Sequence, residues 1–358
     1  MKFRIFCSAL LLSGAFLQPL LAQEDEEEDY SMYDNLDFTD GAAKRFCSSK
    51  IKGLSPAKLI SLGYDVQGPF TITAGEYGTY ASEERSVELV HGLRLFANIP
   101  IISRNNIIIQ GGVNHASSRF DYAEPQLGVL PHPLHRALET GGLQTTGINT
   151  TVFKPLNEKA FVLFQASADV NGNYGFNTIQ SPNTALFSAA ALWGKRPNDN
   201  KQWAVGLSRT YRAGELNYIP VVLFNWTSTS GKWGTEMLLP ARGHVRYAFS
   251  PRSMLFAGWE LEGQSYQLNN TPYDTWLTDR TELRRSELRF RLIYERSIYN
   301  FIWISAQAGY RVNYLFNVDD LADGTDFFRG FFGDQPFAME NQMGNPIYFN
   351  ISLNLVSP

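Results

Sequence analysis

Stretches of about ten residues in which every second side chain is apolar recur from Leu59 to the last residues of this chain. A run of that length and period fits a β-strand with one apolar face and one polar face. The last stretch is the plainest. Ile347, Phe349, Ile351, Leu353 and Leu355 alternate there with Tyr348, Asn350, Ser352 and Asn354.

Two architectures accept many such strands, a soluble β-sandwich and a closed barrel. A sandwich seldom repeats so many similar segments between connections of such unequal length. A barrel of the bacterial outer membrane does so by construction, with short turns at one end and long loops at the other. Short turns rich in turn-forming residues are expected at Asn105-Asn106, Pro155 to Lys159, Arg196 to Lys201, Ser230 to Lys232, Ser250 to Arg252 and Arg296 to Asn300. Long loops are expected from Ser117 to Gly142, Asn269 to Arg280 and Asn317 to Asn345. With both barrel ends in the periplasm, the pattern predicts an all-β fold, an antiparallel transmembrane β-barrel of about 14 strands. The count turns on Pro240. Trp233–Leu239 and Ala241–Phe249 read as two strands joined by a tight turn, or as one bent strand, which leads to the alternative of about 12.

Composition separates a barrel from a helical membrane protein. With 44% hydrophobic residues over 358 and a mean hydropathy of −0.22, the chain is too polar for a bundle of membrane helices. Its longest later apolar run, Thr184 to Trp193, is too short to span as a helix. The 14% aromatic content suits the girdles that mark both interfaces of an outer-membrane barrel. The net charge of −4 says nothing about nucleic acid, which is not among the expected partners.

The N-terminus sets the expected compartment. Lys2 and Arg4 precede an apolar run from Ile5 to Leu21, and Ala22 is a small residue suited to cleavage. Residues 1–22 therefore read as an export signal, and a retained anchor is disfavoured because the run is shorter than the ~20 residues a spanning helix needs. Residues 23–55 read as an acidic extension, largely disordered because Glu24 to Asp29 is a self-repelling run. Residues 56–358 read as the barrel. Loss of the signal removes Cys7 and leaves Cys47 as the sole thiol, so no internal disulfide is expected.

The period of two also assigns faces. Val87, Leu89, Leu93, Leu95, Ala97 and Ile99 are expected to face lipid, with Glu88, Gly92, Arg94 and Asn98 inside. Leu255, Trp259, Phe290, Leu292, Ile304 and Phe349 belong to lipid-facing sets, and Gln307 and Asn350 to the interior.

In Lys58-Leu-Ile-Ser-Leu-Gly-Tyr-Asp-Val-Gln-Gly-Pro-Phe70, and again from Trp233 to Pro240 and Tyr247 to Arg252, the sequence resembles a family of uncharacterised bacterial outer-membrane β-barrel proteins. The resemblance spans most of the chain after the signal. It implies the fold and the outer membrane, and it carries no activity.

The sharpest constellation lies on the inward faces of successive strands. Arg242, His244 and Arg246 share the first, Glu260 and Glu262 the second, Arg285, Glu287, Arg289 and Arg291 the third, and Arg311 follows one strand on. Cross-strand neighbours stand ~5 Å apart, so opposite charges would face each other in the lumen. Such a wall either selects anions in a pore or closes the interior as a satisfied ion-pair network.

Catalytic parts are not evident. His91, His115 and His244 fall on strands, and no serine sits in a recognisable nucleophile motif. His132 and His135 have a spacing that could touch a metal, but no cysteine or acid accompanies them. Asp319, Asp320, Asp323 and Asp326 make a loop acidic, and no glycine run precedes a helix as a phosphate cradle. The sequence-level expectation is therefore a non-enzymatic barrel of the cell outer membrane without cofactor or metal. Its expected role is passage of small solutes past a charged lumen wall; the alternative is a non-conducting structural or surface-interaction barrel. Its expected partners are outer-membrane lipid, lipopolysaccharide, the barrel-assembly machinery and small solutes.

Overall fold

In the computed structural model the alternating stretches become one antiparallel ladder that closes on itself. The strands are β1 Lys58–Gln67, β2 Phe70–Ala74, β3 Glu83–Arg104, β4 Ile107–Tyr122, β5 Leu143–Pro155, β6 Ala160–Gly172, β7 Leu186–Asn198 and β8 Lys201–Thr210. They continue with β9 Asn217–Thr227, β10 Trp233–Leu239, β11 Arg242–Ser250, β12 Ser253–Leu268, β13 Thr281–Tyr299, β14 Ile302–Asp320, β15 Gln342–Met343 and β16 Ile347–Val356. The structure describes residues 47–124, 132–174, 185–211, 216–268, 281–320 and 337–357. The expected signal with Cys7, the acidic run from Glu24, and Asp323 and Asp326 lie outside the described residues.

Closure is made by β1. Tyr64 stands opposite Ile351 of β16 on one side and opposite Leu93 of β3 on the other. The ring of β1, β3 to β14 and β16 thus holds 14 strands, and no ring strand is left with an open edge. Closure is what a sheet in lipid requires, because the bilayer core offers no water to unpaired backbone groups. The short β2 and β15 are additions at the loop end, where Phe70 pairs with Val87 and Thr73 with Gln342.

The six expected tight turns all fall at one end, together with the start of β1 and the end of β16. Pro240 separates two strands, β10 and β11, paired from Trp233↔Tyr247 to Leu238↔Arg242. The alternative of 12 strands is thereby set aside.

Along β13 and β16 the faces follow the period of two. Phe290, Leu292, Ile351 and Leu353 are exposed outward, while Arg289, Asn350 and Ser352 between or beside them are buried. The start of β3 departs from the expectation. A bulge between Val87 and Leu89 shifts the parity, so that Val87 is fully buried and Glu88 is exposed. Exposed aromatic side chains form two belts, with Trp193, Trp226, Trp233, Phe249 and Phe301 towards the turn end and Phe187, Tyr218, Tyr310 and Tyr314 towards the loop end.

The interior is filled at both ends. At the turn end, residues 47–57 cross the mouth as a strap: Cys47 N donates to Asn157 O at 2.9 Å, and Lys52 N donates to Asp199 O at 2.8 Å. Cys47 packs there with Phe153, Phe161 and Leu192. The part of the expected extension from Cys47 to Ser55 is thus ordered against the barrel. At the loop end, part of the expected long loop is a helix, α1 Pro133–Thr140, capped by His132 and carrying proline in its first turn. Its Leu134, Ala137 and Leu138 join Ile72, Val90, Phe120, Leu268, Leu283 and Val318 in the main apolar cluster. Gly142, with φ +63°, turns the chain from α1 into β5, and a Cβ there would lie 2.4 Å from Ser118 O. Nearby the walls meet, with Gln267 of β12 bridging to Gly172 of β6 although five strands separate them along the sheet.

Candidate functional site

Between these two filled ends the inward faces carry the charged side chains. Asp65 on β1 accepts from Arg94 Nε of β3 at 2.5 Å, from Arg311 Nη2 of β14 at 3.3 Å and from Asn350 Nδ2 of β16 at 2.7 Å. Glu287 of β13 accepts from Arg285 at 2.9 Å, from Arg311 at 3.1 Å and from Arg289. Glu262 of β12 holds Arg289 on one side and Arg94 Nη2, at 3.1 Å, on the other. Strands β3 and β12 are not neighbours, so this last contact crosses the lumen. Arg94, Arg285, Arg289 and Arg311 thus form one network with Asp65, Glu262 and Glu287.

The ring of Tyr348 underlies it, 4.5 Å from the Arg311 guanidinium and 5.9 Å from that of Arg289. The ring fits because position 309 is glycine; a Cβ there would stand 2.7 Å from Tyr348 Cε1.

The remaining charges of the expected wall lie apart. Arg291 pairs with Glu260 and donates from Nε to His244 Nε2 at 3.0 Å. Arg246 belongs to the strap: its Nη2 donates to Thr227 Oγ1 at 2.9 Å, and its Nη1 lies 3.4 Å from Glu236. Glu236 in turn receives both the N–H and the hydroxyl of Ser55, at 3.1 and 2.8 Å. Arg242, at the tip of the β10–β11 hairpin, is exposed and makes no ion pair among the described residues. The expected single wall is therefore divided, because the short hairpin places Arg242 at its rim and the strap captures Arg246. The sequence does not single out Asp65, and it marks Arg94 only as an inward residue. The available signal for Asp65 is its parity with Gly63 and Gln67 on β1, but its partners lie as far as 285 residues away.

The histidines have protein partners. His91 contacts Tyr64 OH at 2.8 Å on the outer face, and His115 contacts Thr146 at 2.9 Å. His132 Nε2 bonds to Gly75 O at 2.9 Å, and its Nδ1 accepts from Leu134 N at 3.3 Å. His135 Nε2 bonds to Glu83 O at 3.0 Å, and its Nδ1 meets Tyr122 OH at 3.0 Å. Burial pushes both imidazoles below their ordinary range. Asp319 pairs with Arg284 at 2.8 Å.

Such a set can hold opposite charges in place and set the field along the barrel axis. Residues 135–355 match the family described as a domain of unknown function, DUF6268. The chain belongs to this family. No curated protein sequence matches it. Among solved structures, the toluene transporter TodX of Pseudomonas putida is similar over 88% of this chain and 95% of that one, at 8% identity and a TM-score of 0.34. OmpT, an outer-membrane protein of Vibrio cholerae, is similar over 84% of this chain and all of that one, at 10% identity and a TM-score of 0.19. At these values the DUF6268 barrel is defined by its own ladder and closure.

Proposed function

We propose that this DUF6268 protein sits in the bacterial outer membrane with its turns in the periplasm, and that it passes small solutes through a lumen that is closed at rest. The reading is carried by the Arg94–Glu262 contact across the lumen. It holds two walls together at the level of the charge network, and its side chains are still about one-third exposed (34% and 29%). Passage requires that this bridge part. No bond is made or broken in the solute; guidance by charge and exclusion by size do the work. The network's excess of one arginine over its carboxylates favours anions.

The non-conducting barrel is the second reading, and the apolar cluster around α1 favours it, since it seals the loop end with buried side chains. Planar bilayer recordings separate the two. The closed-passage reading expects rare, small steps from the wild-type chain and larger, frequent ones from Arg94→Ala or Glu262→Gln. Silence from all three, with folded protein in the membrane, would leave only the structural reading.

A further inference from the structure

Among the described residues the exposed charges of the two rims differ, with cations in excess at one and carboxylates at the other. At the turn end Lys154, Lys195, Lys201, Lys232, Arg252 and Arg296 are exposed, and none has a carboxylate partner among the described residues. The exposed carboxylates of the described turn end are Glu158 and Asp199, and Asp199 is already engaged by Lys52 at 3.4 Å and Arg196 at 2.7 Å. At the loop end the exposed set includes Glu76, Glu84, Glu88, Asp121, Glu124 and Glu340. A chain of net charge −4 has thus gathered at one rim cations that lack a carboxylate partner among the described residues.

Those cations border the aromatic belt. Lys195 Nζ lies 5.4 Å from the Trp193 ring centre, and Lys201 Nζ lies 5.6 Å from that of Phe224. Lysines beside interfacial aromatics stand at headgroup depth, with their stems along the apolar face. A cleft of about 440 Å³ opens at the same rim, lined by Leu54, Pro56, Phe249, Pro251 and Met254, with Lys232 among its lining residues. It offers an apolar slot beside a cation, the pairing that an acyl chain and its phosphate present.

We infer that the turn-end rim is a docking surface for the headgroups of anionic phospholipids in the periplasmic leaflet. The inference rests on the outer-membrane placement proposed above and is independent of whether the lumen conducts. The physical ground is that each lysine or arginine near an anionic bilayer surface attracts it by a similar increment, which decays within a Debye length of about 8 Å at physiological salt.

The test folds the full chain into nanodiscs of phosphatidylcholine with phosphatidylglycerol and counts retained lipids by native mass spectrometry. Wild type should enrich phosphatidylglycerol. Lys195→Gln, Lys201→Gln, Lys232→Gln and Arg252→Gln should each lower that enrichment about fivefold, and high salt should abolish it. Glu84→Gln with Glu88→Gln, at the other rim, should leave it unchanged. Equal retention of both lipids, or enrichment that survives the four replacements made together, would overturn the inference. So would capture of soluble peptidoglycan fragments in place of phosphatidylglycerol. A chain that enters no bilayer would overturn the membrane placement as well, whereas a chain that enters without lipid preference would overturn this inference alone.

Discussion

Arg94 on β3 and Glu262 on β12 meet at 3.1 Å across the lumen, although neither strand pairs with the other. Each also holds a second partner, Asp65 for Arg94 and Arg289 for Glu262. The contact is therefore a link between two walls as well as an ion pair. A double-mutant cycle of Arg94→Ala and Glu262→Gln in vesicle unfolding titrations should give a coupling of roughly 0.5 to 3 kcal/mol, the range for residues in direct contact within one ion-pair network. Additive single effects would show that the bridge is not made in the membrane.

The outward and inward faces should tolerate charge differently. Leu292→Arg places a guanidinium on the lipid side, where the cost near the midplane is about 2 to 4 kcal/mol. Gln307→Arg, one strand over on the polar face, should cost much less. Refolding titrations that give equal losses would contradict the assignment of faces.

The His132 and His135 pair makes the loop-end closure sensitive to acid. Their folded imidazoles titrate below the unfolded value of about 6.5, so the unfolded or detached segment binds more protons in that window. Stability from the pair is present above about pH 6.5 and is lost as pH falls below it. Protonation also removes the Nδ1 acceptors that face Leu134 N and Tyr122 OH. Glu83, His135's carbonyl partner, works against the shift, and Arg85 and Arg136 work with it. Hydrogen-exchange protection across α1, measured against the intrinsic rate at each pH, should fall between about pH 7 and pH 5. In a His132→Gln, His135→Gln chain it should lose that dependence.

Cys47 reports on the strap. Burial raises its thiol above the ordinary range, and Phe153, Phe161 and Leu192 cover it. In protein that begins at residue 23, where it is the sole cysteine, maleimide labelling at neutral pH should be slow. Glu236→Gln weakens the anchor of Ser55 and should speed labelling several-fold. Equal rates would mean that Cys47 is held without the Ser55 anchor.

The barrel is legible in the sequence because a period of two and a set of tight turns are local signals, each contained within a few residues. The same locality explains the errors. A single bulge at Val87 reverses the faces at the start of β3, and nothing in the alternation marks it. Asp65 acquires Arg311 and Asn350 only when the first strand meets the last, and the strap at 47–57 is held by turns and strands more than a hundred residues away. The helix at Pro133–Thr140 hides inside a proline-containing loop, although His132-Pro133 is a recognisable helix start.

The charge preference of an opened lumen should follow its arginines. Arg289 and Arg291 neutralise Glu262 and Glu260, so replacing both by glutamine removes two positive charges from the middle of the lumen and frees two carboxylates. In the Arg94→Ala background, for which larger conductance steps are expected, the reversal potential in a salt gradient should move towards cations, and the shift should shrink as salt rises and screens the wall. An unpaired carboxylate in a narrow interior is costly, so the same double replacement should also lower stability. Lower stability with an unchanged reversal potential would make the arginines a scaffold for the wall, with solutes passing elsewhere or not at all.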